Sequence, residues 1–393
     1  MRISKIALAA ALVLGAAAAS AQTIKIGFIT SYSGLNGNLG PYMERAVRLY
    51  LKQHEKELGG VKVELLIRDD TGPNPDKARQ LAQELVVRDK VNLLAGVVFT
   101  PNALAIAPIA TEAKVPFVIM NAGTAVITTR SPYIVRTSFT LWQSSYPLGQ
   151  WASKKFKTAY ILVSDFGPGH DSEEAFTKGF TEGGGKVLGA VRVPLQNPDW
   201  AAYMQRVKDA KPDVLKVFIP AGKTATAVMK NFSDLGLAQA GIKLIGPGDI
   251  TTDEELPNMG DVALGVLTVH HYSAGATRAQ NKEFVAAWKK EYGAGETPNF
   301  VAAGAYDGAA IIVEAIKQQK GKLDPDKTME IFKNWKNPNS PRGPIAIDPE
   351  TRDIIQNEYL REVKKVDGQL ANVEIETVAT AVKDPWKELQ KKK

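Results

Sequence analysis

The sequence contains no cysteine. Disulfides, thiolate metal sites and cysteine nucleophiles are therefore excluded, and stability has to come from the size of the cores. Histidine is scarce too, with 4 in 393 residues, and no HExxH or similar zinc spacing occurs. His54 lies in a polar helical stretch and His170 in a loop. His270 and His271 are adjacent in an apparent strand, where successive side chains face opposite ways, so they are not expected to chelate one metal. GxSxG is missing, as is GxxxxGK followed by Ser or Thr, and Gly34, Gly37 and Gly40 miss the dinucleotide spacing. Asp69-Asp70 and the acids of 253–255 read as strand-end and helix-start acids without chemistry. No enzyme constellation, metal site or cofactor is expected.

Beyond residue 22 there is no long apolar run, so no membrane span is expected there. The start itself, MRISKIALAAALVLGAAAASAQ, places Arg2 and Lys5 before an apolar stretch and Ala19-Ser20-Ala21 before Gln22. This order is that of a secretory signal peptide, residues 1–21, cleaved after about Ala21. The net charge of +7 falls to +5 once Arg2 and Lys5 leave. Spread over such a length, that excess is no footprint for nucleic acid. Hydrophobic content of 44% permits large cores, and at roughly 150 residues per domain the length implies two or three.

From Thr23 onward, short runs rich in Val, Ile and Phe alternate with stretches of helical period, which predicts parallel α/β architecture. TIKIGFIT, VKVELLIRDD, VNLLAGVVF and VPFVIMN read as strands with helices between them; the pattern restarts at LWQSSYPLGQWASKKF and runs through TAYILVSD, KVLGAVRVPL, VLKVFIPA and KLIGPGD. Two sets of alternation predict two doubly wound lobes. Short crossings are expected near 136–140 and 268–272, and a hairpin-like tail from Gly343.

In open parallel sheets a ligand sits beyond the carboxyl ends of the strands. The segments there are 31–41, 99–102, 121–124, 164–171, 219–224 and 246–252, all rich in Gly, Pro, Thr, Ser or Asn. They supply the candidate contacts Tyr32, Leu39, Phe99, Thr100, Asn121, Ala122, Gly123, Thr124, Phe166, Gly169, Pro220 and Asp249, and AYDGAA adds Tyr306. Thr100 and Asn102, where a strand yields to a helix, and Asn121, Gly123 and Thr124 after the adjacent strand could hold one carboxylate, or could simply cap. In DFGPGHD the turn is Gly167-Pro168-Gly169, and Asp171 with Glu174 fits a capping box for the next helix. Two aspartates and no lysine there disfavour phosphate.

The order of leader, IKIGFITSYSG, DDTGPNP, LLAGVVFTPNALA, VPFVIMNAGTA, ILVSDFGPGHD, LIGPGDIT and AYDGAA resembles the branched-chain amino-acid binding proteins, type I periplasmic solute-binding proteins of ABC importers. The resemblance spans the mature chain. It implies two Rossmann-like lobes joined by three hinge crossings, residues 22–138 and about 270–342 forming one and about 139–269 and 343–393 the other. It further implies a periplasmic monomer that closes on a small carboxylate and hands it to a membrane permease, with Thr100 and the turn Ala122-Gly123-Thr124 gripping the carboxylate. Leucine-binding members hold the ammonium with an acid directly after Gly-Pro; here Gly248 intervenes before Asp249, Gly169 replaces a tyrosine, and the common disulfide is absent. DFGPGHD and GPGDIT are similar to the subgroup that takes up aromatic acids such as benzoate or phenylpropanoid derivatives. An aromatic carboxylate is the preferred ligand, with a branched-chain amino acid, or a ligand-sensing role, as the alternative.

Overall fold

The computed structural model describes residues 22–391. The expected signal peptide, 1–21, lies outside them. The first lobe is built on a five-stranded parallel sheet of β1 (Thr23–Thr30), β2 (Lys62–Asp69), β3 (Leu93–Gly96), β4 (Phe117–Ile119) and β5 (Ile134–Arg136), in the order β2-β1-β3-β4-β5. The second is built on β6 (Thr158–Ser164), β7 (Lys186–Val193), β8 (Val214–Phe218), β9 (Lys243–Pro247) and β10 (Leu267–His270), parallel in the order β10-β9-β8-β6-β7. The short strands β11 (Lys336–Asn337) and β12 (Ile345–Ile347) and the long pair β13 (Ile354–Val366) and β14 (Gln369–Val382) extend it on the β10 side, antiparallel. This is a mixed α/β molecule of two lobes.

Between the strands run α1 (Leu39–Gln53), α2 (Pro75–Gln83), α3 (Thr100–Glu112), α4 (Leu141–Ser153), α5 (Gly167–Glu182), α6 (Trp200–Ala210), α7 (Lys223–Asp234), the single turn α8 (Leu256–Met259), α9 (Ala279–Tyr292), α10 (Phe300–Gln318) and α11 (Pro325–Lys333). Helix α10 packs along α1, and α11 against β5, so the chain returns to the first lobe after β10 before rejoining the second sheet at β11. The tail is a hairpin because Asp367 and Gly368, at φ of 51° and 80°, give the two left-handed residues that a tight turn between twisted strands demands.

The strands read as continuous apolar runs because both faces are covered by helices. Ile26, Phe28, Leu94 and Phe117 are buried in the first core, and Leu162, Val217, Met229 and Ile250 in the second. Each such side chain contributes about 1.5–3 kcal/mol by leaving water, enough in sum to replace the missing disulfides.

Where the chain crosses between lobes, charge is buried and paired. Arg136 donates Nε to Asp353 Oδ1 at 2.7 Å, and its Nη1 to the carbonyls of Ala122 and Thr124 at 2.9 and 2.8 Å. Lys387 adds a second cation to Asp353. Beside it, Arg342 donates to Asp307 at 2.8 Å, to the Ser138 carbonyl and Gln356 Oε1, both at 2.8 Å, and to the Thr137 carbonyl. Both arginines are fully buried, which is tolerable only because their donors are so thoroughly occupied.

Candidate functional site

Strand β3 ends early. Gly96 and Val97 both take positive φ, 107° and 68°, and a Cβ on Gly96 would lie 2.4 Å from the Ile29 carbonyl. A β-branched residue in that region is strained. The kink turns Val98 and Phe99 out of the sheet and toward the other lobe, where they form one wall of a cavity with about 380 Å³ of non-atom space, part of it open to solvent.

The cavity draws on both lobes and on the crossing between them. Leu39, Asn121 and Gly123 line it with Phe99 from the first lobe; Phe166, Pro168, Phe218, Pro220 and Asp249 line it from the second; Phe139 and Leu141 come from the crossing. Phe166 and Phe218 stack at 6.1 Å, and Phe139 meets Phe300 edge-on at 5.7 Å. With Phe99, five phenyl rings thus line a slot suited to a flat guest.

Helix starts converge on the same place. Helices α1, α3, α5 and α7 begin without a side-chain cap, and Leu39, Phe99, Phe166 and Ala221 at or beside those starts line the cavity. By contrast α4 and α10 are capped, by Thr140 and Asn299. Helix α1 already gives its Leu39 and Gly40 N–H groups to the carbonyls of Asn36 and Ser31 at 3.0 and 3.1 Å; the starts of α3, α5 and α7, which carry no side-chain cap, bring their positive dipole ends to the cavity.

Thr100 and Thr124 are bonded to each other, Oγ1 to Oγ1, at 2.8 Å. They are buried behind Phe99 and Gly123 and are not part of the wall. Thr124 Oγ1 lies 3.0 Å from where a Cβ on Gly167 would stand, so the first residue of α5 abuts the pair from the opposite lobe. Thr100 does not cap α3; Phe99 holds the cap position and contributes no side-chain bond. Asn102 instead donates to Asp70 Oδ2 at 2.7 Å and to the Gly72 carbonyl at 2.8 Å, while Asp70 also accepts from Ser31 at 2.6 Å.

Several expectations need correcting. Tyr306 is remote from the cavity: its hydroxyl bonds Gln53 at 2.6 Å, and its ring packs on Tyr50 and Phe284. Tyr32 turns toward α1, donating to Glu44. Ala122 is buried beside the wall with its carbonyl held by Arg136. Gly169 serves packing, since a Cβ there would fall 1.8 Å from the Ser164 carbonyl. Helix α5 starts at Gly167, because Pro168 at its first turn lacks the N–H a helix would waste there. Asp171 is accordingly no cap but an acceptor for the Ala125 amide at 2.7 Å, with burial pushing its carboxyl up to about 6.

The histidine pair also differs from expectation. β10 ends at His270, so strand alternation does not reach His271, and the two rings lie 4.3 Å apart. They pack on Phe139 and Phe300, the rings that line the cavity. All four ring nitrogens are buried without partners. Burial holds both well below their usual range, so they are neutral. No third His, Cys, Asp or Glu gathers with them among the described residues.

Asp249 lies on the turn after β9 with Oδ2 buried and unpartnered. Burial pushes its carboxyl up to about 7, while Arg361 and Lys216 pull the other way. Phe139, Phe218 and Phe300 escaped the sequence reading; a signal existed only for Phe300, which follows the capping residue Asn299 at a helix start.

Residues 23–369 match the profile of the Periplasmic binding protein family. A Leu/Ile/Val-binding protein homolog 6 from Brucella melitensis is 43% identical over 381 residues, 95% of this chain and 97% of that protein. A solute-binding protein of an ABC transporter from Rhodopseudomonas palustris BisB5, solved in complex with 3,4-dihydroxybenzoic acid, is 51% identical with a TM-score of 0.89, covering 93% of this chain and 99% of its own. A second, from Rhodopseudomonas palustris HaA2 and in complex with p-hydroxybenzoic acid, is 44% identical with a TM-score of 0.89 over 93% and 99%. Among the described residues no helix is long and apolar enough to cross a membrane. With its two lobes, its interlobe cavity and these likenesses, the chain belongs to the periplasmic binding protein family.

Proposed function

We propose that this protein is the periplasmic capture component of an ABC importer and that its ligand is an aromatic carboxylate. The observation that carries the ligand class is the meeting of three uncapped helix starts, α3, α5 and α7, around a slot walled by Phe99, Phe139, Phe166, Phe218 and Phe300. An anionic head suits the helix starts, and a flat ring suits the slot. The Thr100–Thr124 pair does not line the cavity, but it adjoins the lining residues Phe99 and Gly123 and faces the start of α5, and its mutual bond leaves one hydroxyl proton to give; opening of the lobes would bring it to the head group as an anchor. The ring-acid complexes of the two Rhodopseudomonas proteins support the same class.

Capture is by closure, with no bond made or broken. The lobes, 22–138 with about 270–342 and about 139–269 with 343–393, rotate about the crossings that Arg136 and Arg342 brace. A leader cleaved after about Ala21 delivers the chain, and one chain suffices because both walls come from it. A membrane permease receives the ligand. The branched-chain alternative would set an ammonium against Asp249, with only the neutral amide oxygens of Asn36 and Asn121 as further side-chain acceptors among the lining residues.

A thermal-shift screen of benzoates, phenylpropanoid acids and aliphatic amino acids tests this. A ligand at about 100 times its Kd stabilises the folded state by roughly 2.7 kcal/mol. Shifts with benzoates support the reading; shifts with leucine or valine alone overturn it.

A further inference from the structure

Asp249 carries a buried carboxyl oxygen that no donor of the protein serves. Its Oδ2 has no hydrogen-bond partner, and the residue lines the cavity. Two cations lie near it, yet each spends its protons elsewhere. Lys216, on β8, donates to the Ser172 carbonyl at 3.0 Å and to the Ser172 hydroxyl. Arg361, on β13, donates to Thr268 Oγ1 at 3.1 Å, to the Tyr272 carbonyl at 2.6 Å, and to the Gly248 carbonyl and Thr251 Oγ1 at 3.3 Å. They supply a positive field without a bond.

We propose that Asp249 is a specificity residue and that the guest is a ring-hydroxylated aromatic acid whose hydroxyl donates to Asp249 Oδ2. This rests on the aromatic-carboxylate reading above and narrows it. A buried acceptor left unpaired is costly, and a guest that completes it gains what a guest lacking the donor forfeits. The donor is a hydroxyl because Arg361 and Lys216, the latter pushed down to about 7 by burial, already set a positive field on this carboxyl; an ammonium would add a further positive charge among phenyl walls, whereas O–H brings none.

The test is isothermal titration calorimetry of the purified protein and of Asp249→Asn with benzoate, 3- and 4-hydroxybenzoate, the matching methoxybenzoates and leucine. The better hydroxy acid should bind the wild type roughly tenfold or more tighter than benzoate. Its methoxy counterpart, which keeps the oxygen and loses the proton, should lose that advantage, and in Asp249→Asn the hydroxy-to-benzoate ratio should fall to within about threefold. Equal affinity for benzoate and hydroxy acids, methoxy acids as tight as hydroxy acids, or an undiminished ratio in the variant would overturn the proposal while leaving the aromatic-acid function standing. Binding of leucine and of no benzoate would remove both. Should Asp249→Asn not fold, the methoxy comparison in the wild type decides alone.

Discussion

The hinge arginines and the cleft acceptors meet buried polarity in opposite ways, although Ser138 Oγ, Glu358 Oε2 and Asp384 Oδ2 near the crossings are also left without a partner. At the crossings, Arg136 and Arg342 are fully buried and their donors are occupied by carboxylates, amide oxygens and carbonyls. A few residues away, around the cavity, Asp249 Oδ2, Asn121 Oδ1 and both nitrogens of His270 and of His271 are buried with nothing to bond. The same chain can satisfy such groups when it needs rigidity. On the cavity wall itself, the unmet oxygens of Asp249 and Asn121 mark what a guest has to bring.

The contrast can be broken most severely at the hinge. Asp353→Ala strips Arg136 and Lys387 of their shared partner, and chemical denaturation should show a loss of about 3–5 kcal/mol. A loss below 1 kcal/mol would mean the crossing does not depend on that ion network.

At the cleft the effect should fall on binding. Thr100→Ala should weaken an aromatic carboxylate by about 1.5–3 kcal/mol, as calorimetry would read it, and because it strips buried Thr124 of its partner it should also cost the empty protein about 1–3 kcal/mol. Unchanged affinity removes Thr100 from the site.

Next comes pH. The folded Asp249 carboxyl sits near 7, above its usual 3.8, so the folded state holds a proton that the unfolded chain has released. Its contribution to stability is therefore present at low pH and lost as pH rises from about 4 to about 7. Asp249→Asn does not titrate, so relative to wild type the empty variant should gain on the order of 1 kcal/mol at pH 8 and nothing near pH 4. A pH-independent difference in melting curves would contradict the isolation of that carboxylate.

The smallest effect sharpens the boundary of the site. Tyr306→Phe removes only the bond to Gln53 and should alter ligand affinity by less than about 0.3 kcal/mol.

Much of this arrangement was legible in the sequence, for identifiable reasons. Leu39, Phe99, Asn121, Gly123, Phe166, Pro220 and Asp249 all lie in loops after parallel strands, and topology alone brings such loops together. Tyr306 failed because α10 is buried almost all round, which leaves no polar face to orient it. Six residues along a helix is about 120° around its axis from the starting point, so with Phe300 facing the cavity Tyr306 turns away to α1. The capping box assigned to Asp171 failed because Pro168 starts the helix one turn earlier. Phe139 and Arg136 were beyond reach, since both owe their positions to contacts with segments far along the chain.

Arg136 binds the 122–124 turn on one side and Asp353 on the other, a partner 217 positions later. A ribosome has nearly finished its work before that brace can exist.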